Sequence, residues 1–430
     1  MHRLGPALAT LLLLLGAPGR AEPAGGAKSV YGRYHGRVLR IRILEKSSRT
    51  QSAVGSGFAA GSDGLVVTNY HVIQQLVWKA DDYTAVAELD DGQTRVVSLL
   101  DIDVVHDLAL VRLEGAALTP VPLAAAVPSK GQRLYAMGDP LDLGMTIVEG
   151  SYSGLLSEAL VPRVHFTGSL NPGMSGGPVL DAAGAAVGVS DATSGNQVSF
   201  LVPIRFVKEL LSRSRTGEAG RFKERITAQL LAHQDETIAA LTAKPLPTQS
   251  LGAFKAPGQP SSAFRCWANT NEAKEQPYEA VRSSCHAEGQ IYVTEWVYTS
   301  GVRFVHHGLK TSKLDALQFS ALERRYVNED GEGRTGATYA GYGRDGDGAE
   351  VTPYECENSL VTNSGGLVLK GIVCLRAHKE LRGLYDLRWI AGTLADAHSG
   401  VVTTLDVDGV TRENAARFLK LYIEAFSWKK

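Results

Sequence analysis

A chain of 430 residues is too long for one core, and its 44% hydrophobic content supplies apolar mass for two. Lys and Arg (44) balance Asp and Glu (45) to a net charge of −1. There is no basic excess to bind nucleic acid and no acidic tail, which leaves a globular protein of ordinary composition.

Met1 to Ala21 is set apart from the rest. Arg3 precedes an apolar stretch through Leu11 to Leu15, and the small residues Gly19 and Ala21 follow. This is the pattern of a secretory signal peptide, too short for a good membrane span. Cleavage is expected after Ala21, with Ala27 as second choice. No cysteine follows the apolar run to serve as a lipoprotein anchor. The mature protein is expected to be exported, periplasmic or secreted, with no stable membrane anchor.

From Val38 the chain alternates like half-buried strands, with Val38, Ile41 and Ile43 interleaved with Arg40 and Arg42. Turn signals recur at Gly61-Ser62-Asp63-Gly64, Asp90-Asp91-Gly92 and Ala183-Gly184, which argues for an all-β barrel or sandwich. Three places in this half carry candidate chemistry. The β-branched run Val66 to Ile73 contains His71, and Val104 to Val111 places Asp107 before an apolar strand. Gly173-Met174-Ser175-Gly176-Gly177-Pro178 then sets a serine in a glycine-walled turn. Glycines permit backbone shapes that a side chain forbids. Such a turn can expose the Ser175 hydroxyl while the backbone N–H groups of Gly173 and Ser175 converge on one point, as acyl transfer requires.

The order His71, Asp107, Ser175 is that of chymotrypsin-type proteases. From about Val38 to Val207 the chain resembles the trypsin-like domain of the HtrA/Deg family of serine proteases. The motifs that carry the resemblance are Gly55-Ser56-Gly57-Phe58, TNYHV, AELDDGQ with HDLALVRL, AMGDPLDLGMTIVEG, NPGMSGGPVLD and the closing Phe200 to Ile204. It implies two six-stranded barrels with the catalytic residues between them. In these roles Ser175 Oγ attacks the scissile carbonyl and His71 moves the proton, while Asp107 fixes the imidazole tautomer. His106 should face the opposite side and has no catalytic role.

Met174 departs from the family, which usually carries Asn there, and from digestive proteases, which carry Asp. A thioether cannot pair with a liberated N-terminus, so activation by that route is not expected. Ser169, six residues before Ser175, stands where trypsin-like enzymes hold a pocket aspartate. A neutral residue there favours small or medium apolar side chains in the substrate, whereas Asp191 on the pocket strand keeps a basic preference open. No cofactor is called for.

Helical spacing takes over from Pro203 to Arg215, expected to pack on the second barrel, and again from Arg221 to Ala243. Lys244 to Ser262, rich in Pro, Gly, Ser and Gln, reads as a flexible linker. Four of the five tryptophans (Trp267, Trp296, Trp389, Trp428) and all four cysteines lie beyond it. Strands are predicted over 290–298, 367–375, 384–390 and 401–407, and a closing helix over 411–428. The spacings Cys266 to Cys285 and Cys356 to Cys374 contain no CxxC pair, so a zinc ribbon is not expected and no metal is assigned. In an exported protein two disulfides are expected, paired sequentially among three possible connectivities. The acidic, glycine-rich stretch 328–350 lacks EF-hand spacing and reads as a solvated loop.

The expectation is a mainly β chain: a signal peptide (1–21), a chymotrypsin-like double barrel (28–215), a helical linker (216–262) and a separate disulfide-bearing β-rich domain closed by an α-helix (263–430). It would be a serine endopeptidase acting on polypeptides, of unspecified oligomeric state, whose C-terminal domain takes no part in bond cleavage. HtrA/Deg proteins usually append a PDZ domain, and no carboxylate-binding loop is discernible here. The alternatives are a pseudoprotease scaffold, or a chain whose C-terminal domain carries the main function in adhesion or recognition.

Overall fold

The computed structural model describes residues 26–89, 91–193, 195, 197–213, 221–271, 276–332, 350–394 and 396–429. The expected signal peptide and most of the acidic loop, 333–349, lie outside the described residues. No helix among the described residues is long and apolar enough to cross a membrane.

Helix α1 (Ala27–Tyr34) leads into strands β1 (Val38–Glu45), β2 (Gln51–Ala59), β3 (Leu65–Thr68), β4 (Tyr83–Glu88), β5 (Thr94–Asp103) and β6 (Leu108–Leu113). These close into a barrel in the order β1-β2-β3-β6-β5-β4. The alternation in β1 does what its period dictates: Leu39, Ile41 and Ile43 are buried inside while Arg40 and Arg42 point out. Between β3 and β4 run two single-turn helices, α2 (Tyr70–Ile73) and α3 (Gln75–Trp78). A second barrel, in the order β10-β11-β12-β9-β8-β7, is made of β7 (Arg133–Gly138), β8 (Thr146–Leu156), β9 (Arg163–Phe166), β10 (Pro178–Leu180), β11 (Ala186–Thr193) and β12 (Ser199–Pro203). Helix α4 (Ile204–Ser212) packs Phe206, Val207 and Leu210 into the seam between the barrels, against Leu108 and Leu110 of one and Val202 of the other. Val30 and Tyr34 of α1 join the same cluster.

The C-terminal domain is built on a seven-stranded antiparallel sheet. Its strands are β15 (Phe264–Thr270), β16 (Glu279–Ala287), β19 (Val302–Lys310), β20 (Glu355–Thr362), β21 (Val368–Ala377), β22 (Tyr385–Thr393) and β23 (Ser399–Val410), ordered β15-β16-β19-β23-β22-β21-β20. One face buries Phe264, Phe304, Trp389 and Leu405 under helix α7 (Arg412–Glu424), which contributes Phe418 and Tyr422. Thr411 caps α7, its hydroxyl accepting from the Asn414 N–H. The other face meets α6 (Ala316–Glu332) through Phe319 and Leu322. Disulfides join Cys266 to Cys285 and Cys356 to Cys374, with S–S distances of 2.04 and 2.05 Å. Each links directly opposed residues, one in the β15–β16 pair and the other in β20–β21, at the two edges of the sheet.

Three expectations need correction. Residues 244–262 are not a loose tether: β13 (Thr248–Leu251) and β14 (Phe254–Pro257) form a hairpin that pairs with the C-terminal strand β24 (Ser427–Trp428). The polar composition hid Leu246, Leu251, Phe254 and Ala256, all buried in the C-terminal core, and Gly252 with φ 62° makes the turn. The segment 290–298 is not one strand. It folds back on itself as β17 (Ile291–Tyr292) and β18 (Tyr298–Thr299). Nor is the C-terminal domain detached from the barrels. The 21-residue helix α5 (Phe222–Thr242) buries Ile226 and Leu230 in the first barrel's core and Ile238 and Leu241 in the C-terminal core, so it braces one to the other.

His306 of β19 is fully buried in that C-terminal core. Its Nε2 faces the Pro257 carbonyl at 3.0 Å, and its Nδ1 faces Thr403 Oγ1 at 2.9 Å. A carbonyl only accepts, so Nε2 carries the hydrogen and Nδ1 accepts from Thr403. Burial lowers this imidazole's pKa to about 3. The unfolded chain takes up a proton near pH 6.5 while the folded one does not. This residue's contribution to stability is therefore intact above pH 6.5 and lost as pH falls, by about 1.4 kcal/mol per unit, until pH 3. Nuclear magnetic resonance of the imidazole should show its titration displaced well below pH 6.5, and a titration near 6.5 would contradict this.

Candidate active site

Strand β3, buried along its length, delivers the chain to α2, where His71 is the second residue. Asp107 lies in the turn between β5 and β6 in a left-handed conformation, φ 54°, uncommon for a residue other than glycine. That shape lets it face residues 69–71 with both backbone and side chain. Its Oδ2 meets His71 Nδ1 at 2.6 Å, and its Oδ1 accepts the His71 backbone N–H at 2.8 Å. Its carbonyl accepts from Asn69 Nδ2 at 2.7 Å and from the Tyr70 N–H at 3.2 Å. Since the carboxylate accepts, Nδ1 carries the hydrogen and Nε2 presents a lone pair. Asn69 belongs to the TNYHV stretch, but its clamping role is visible only in the fold. His106 turns away: it bonds Asp103 at 3.0 Å and stacks on Phe206 with ring centroids 3.4 Å apart. Burial alone would raise the Asp103 pKa, but His106 and Arg213 outweigh it and hold that carboxylate below its usual range.

The Ser175 loop is built between the barrels. Gly173 (φ 96°) and Gly176 (φ 86°) sit where a Cβ would lie 2.2 Å from the Asp139 carbonyl oxygen and 2.1 Å from the Ser56 carbonyl oxygen. Only glycine fits either position. Ser56 of β2 ties the loop down: its N–H donates to the Ser175 carbonyl at 2.7 Å and its hydroxyl to the Gly173 carbonyl at 2.7 Å. That hydroxyl also accepts from the Asp139 N–H at 3.1 Å, and the Asp139 carboxylate pairs with Arg40. The Pro172 carbonyl is held by the Leu141 N–H at 2.9 Å. In a trans peptide the Gly173 N–H then points the opposite way. The Met174 side chain is fully buried among Leu134, Phe166, Val179 and Leu201, filling the second barrel beneath the loop.

The Ser175 hydroxyl donates to the Asp191 carbonyl at 3.1 Å. A carboxylate oxygen of Asp191 lies within 4.8 Å of ligand atoms of both His71 and Asp107. Such a trio could hold a cation on distance alone, yet each member already has a partner, because Asp191 is paired with the Arg163 guanidinium. Ser169 is exposed in the loop after β9, one residue before the buried Leu170. The fold thus gathers His71, Asp107, Asp191 and the Ser175 loop, and leaves Ser169 at the surface.

Two closed six-stranded barrels with this constellation between them define a trypsin-like peptidase domain, and residues 55–189 match the trypsin-like peptidase domain family. The domain is HtrA/Deg-like. It is 32% identical over 179 residues to a DegP-like periplasmic serine endoprotease of Pseudomonas fluorescens, covering 39% of this chain and 36% of the relative. It is 33% identical over 168 residues to the chloroplastic Protease Do-like 1 of Arabidopsis thaliana, covering 35% and 36%. Against the serine protease HTRA1 of Xenopus laevis it is 26% identical over 231 residues, covering 50% and 49%. The chain therefore spans less than half the length of these relatives. A crystal structure of the serine endoprotease from Yersinia pestis aligns at 21% identity with a TM-score of 0.39, covering 43% of this chain and 65% of that one.

Proposed function

We propose that this protein is an exported serine endopeptidase that cleaves polypeptides through an acyl-enzyme on Ser175. The observation that carries the reading is the grip of one carboxylate, Asp107, on both the ring and the backbone N–H of His71, beside the glycine-shaped Ser175 loop. In the reaction Ser175 Oγ rotates from the Asp191 carbonyl toward His71 Nε2 and gives up its proton as it attacks the substrate carbonyl. The N–H groups of Gly173 and Ser175 receive the oxyanion, and neither is spent on a hydrogen bond to another described residue. His71 then protonates the leaving amine, and water repeats the cycle on the ester.

Asp191 spends its charge on Arg163, and Ser169 has none, so neither offers a free carboxylate to a Lys or Arg side chain. This supports a preference for small or medium apolar residues. Export is supported by the N-terminal pattern and by the periplasmic assignment of the Pseudomonas relative. One observation favours the scaffold alternative: the Ser175 hydroxyl bonds the Asp191 carbonyl rather than His71. A neutral hydrogen bond is worth only about 1 kcal/mol net, so rotating it away is a small obstacle.

Gly173→Ala, whose Cβ has no room beside the Asp139 carbonyl, should push the position-173 N–H out of place. It should lower kcat by on the order of 10² to 10³, the cost of losing an oxyanion donor, with the barrels still folded by circular dichroism. The function itself is tested by digesting an unfolded proteome and sequencing the new termini. Cuts clustering after small and medium apolar residues are expected. Cuts after Lys and Arg would overturn the preference, and no cuts would overturn the activity.

A further inference from the structure

We propose that Tyr292, supplied by the C-terminal domain, is a specificity-determining residue of the cleft, walling the subsite of one substrate residue beside the scissile bond. This rests on the protease reading above. The Tyr292 ring stands edge-on to the His71 imidazole, with centroids 6.0 Å apart and planes at 76°. Tyr298, across the β17–β18 hairpin, backs it at 5.4 Å and 81°. A substrate side chain approaching this flank of His71 meets an aromatic ring supplied from outside the barrels.

The hairpin is a fixed part of the cleft rather than a removable lid. Tyr70, the residue before His71, donates its hydroxyl to the Val293 carbonyl at 2.8 Å and accepts from Trp78 Nε1 at 2.7 Å. Ile291, Val293 and Val297 are buried in the same core as Tyr70, Val72 and Ile73 of the first barrel. Thr294 locks the turn by accepting from the N–H groups of Trp296 and Val297 at 3.2 and 3.1 Å. Upstream, the Leu160 N–H of the second barrel donates to the Glu288 carbonyl at 3.0 Å. Lifting the hairpin would bare three apolar side chains and strip the buried Tyr70 hydroxyl of its acceptor.

The wall does not close the site, because the His71 side chain keeps 30% of its exposure. Burial pushes the Tyr292 phenol above its ordinary range, so the ring stays neutral. A neutral aromatic surface fits a small or medium apolar side chain and crowds out a large one. Selection, on this account, comes partly from a domain outside the barrels.

The test uses the full chain and peptides varied one position at a time on both sides of the cut. kcat/KM is read for wild type, Tyr292→Ala and Tyr292→Phe. At one flanking position, Tyr292→Ala should raise the ratio of large to small side chains accepted by about tenfold or more, and Tyr292→Phe should keep the wild-type ratio. Ratios within about twofold of wild type at every position would overturn the proposal. So would an equal loss on all peptides by a folded Tyr292→Ala, which would make Tyr292 a support for His71. If Tyr292→Ala fails to fold by circular dichroism, Tyr292→Leu carries the same comparison. A wild-type protein that cuts no peptide and takes no phosphonate adduct at Ser175 would fail the protease reading instead.

Discussion

Replacing Ser175 with alanine should lower kcat on an unfolded protein by on the order of 10⁴ to 10⁶. Alanine removes the only atom of the site that can form the acyl bond. What is left, the N–H groups of Gly173 and Ala at 175 with the bound substrate, accelerates attack by water only weakly. His71→Ala should cost a similar factor, because without a base the hydroxyl is a poor nucleophile. The two changes together should cost little more than either alone, since residues that act as a unit lose their effect once. Initial rates for the two single variants and the double variant check this. Rates near wild type for Ser175→Ala would mean that Ser175 is not the nucleophile.

Reduction of the disulfides is expected to have the largest effect on stability. The bonds close loops of 19 and 18 residues, and each is worth roughly 3 kcal/mol in the chain-entropy model. Their positions sharpen the expectation. Both staple edge strands of the seven-stranded sheet, where fraying begins, so loss of both should unravel that sheet from its sides. The barrels contain no cysteine but will not stand apart. Leu381 and Leu384 share the first barrel's core with the β17–β18 hairpin and α5. Reductant should therefore lower the urea midpoint reported by tryptophan fluorescence and, with it, the stability of the site around His71. Free thiols on the native, unreduced protein would remove the premise, and an unchanged midpoint after full reduction would contradict the magnitude.

The barrels were legible because their information is local. The alternation at Leu39, Ile41 and Ile43 reports one buried face, and glycines at 173 and 176 report a backbone that nothing else can adopt. The sequential cysteine pairing is one of three connectivities that spacing leaves open, and only the fold shows each pair on adjacent strands. What composition obscured was long-range. Thr248 to Pro257 looks like a tether until Phe254 is seen paired with Trp428, their rings 4.5 Å apart. Tyr292 gives no signal at all, because its importance comes from a fold that brings it beside a histidine 221 positions earlier. Likewise the left-handed turn at Asp107 cannot be read from the residue type, since aspartate adopts that shape more often than most side chains yet still only occasionally. Ser169 is singled out by its spacing from Ser175 alone, and it lies exposed in the loop after β9.

The central claim is that Ser175 is an activated nucleophile in the folded protein, and active-site labelling tests it most directly. Native full-length protein is exposed to a serine-reactive phosphonate and mapped by peptide mass spectrometry. The account predicts a single adduct on Ser175, abolished by prior unfolding and strongly slowed in Asp107→Asn, where the His71 tautomer is no longer fixed. A folded protein that takes no adduct, or takes it on another serine, would contradict the account.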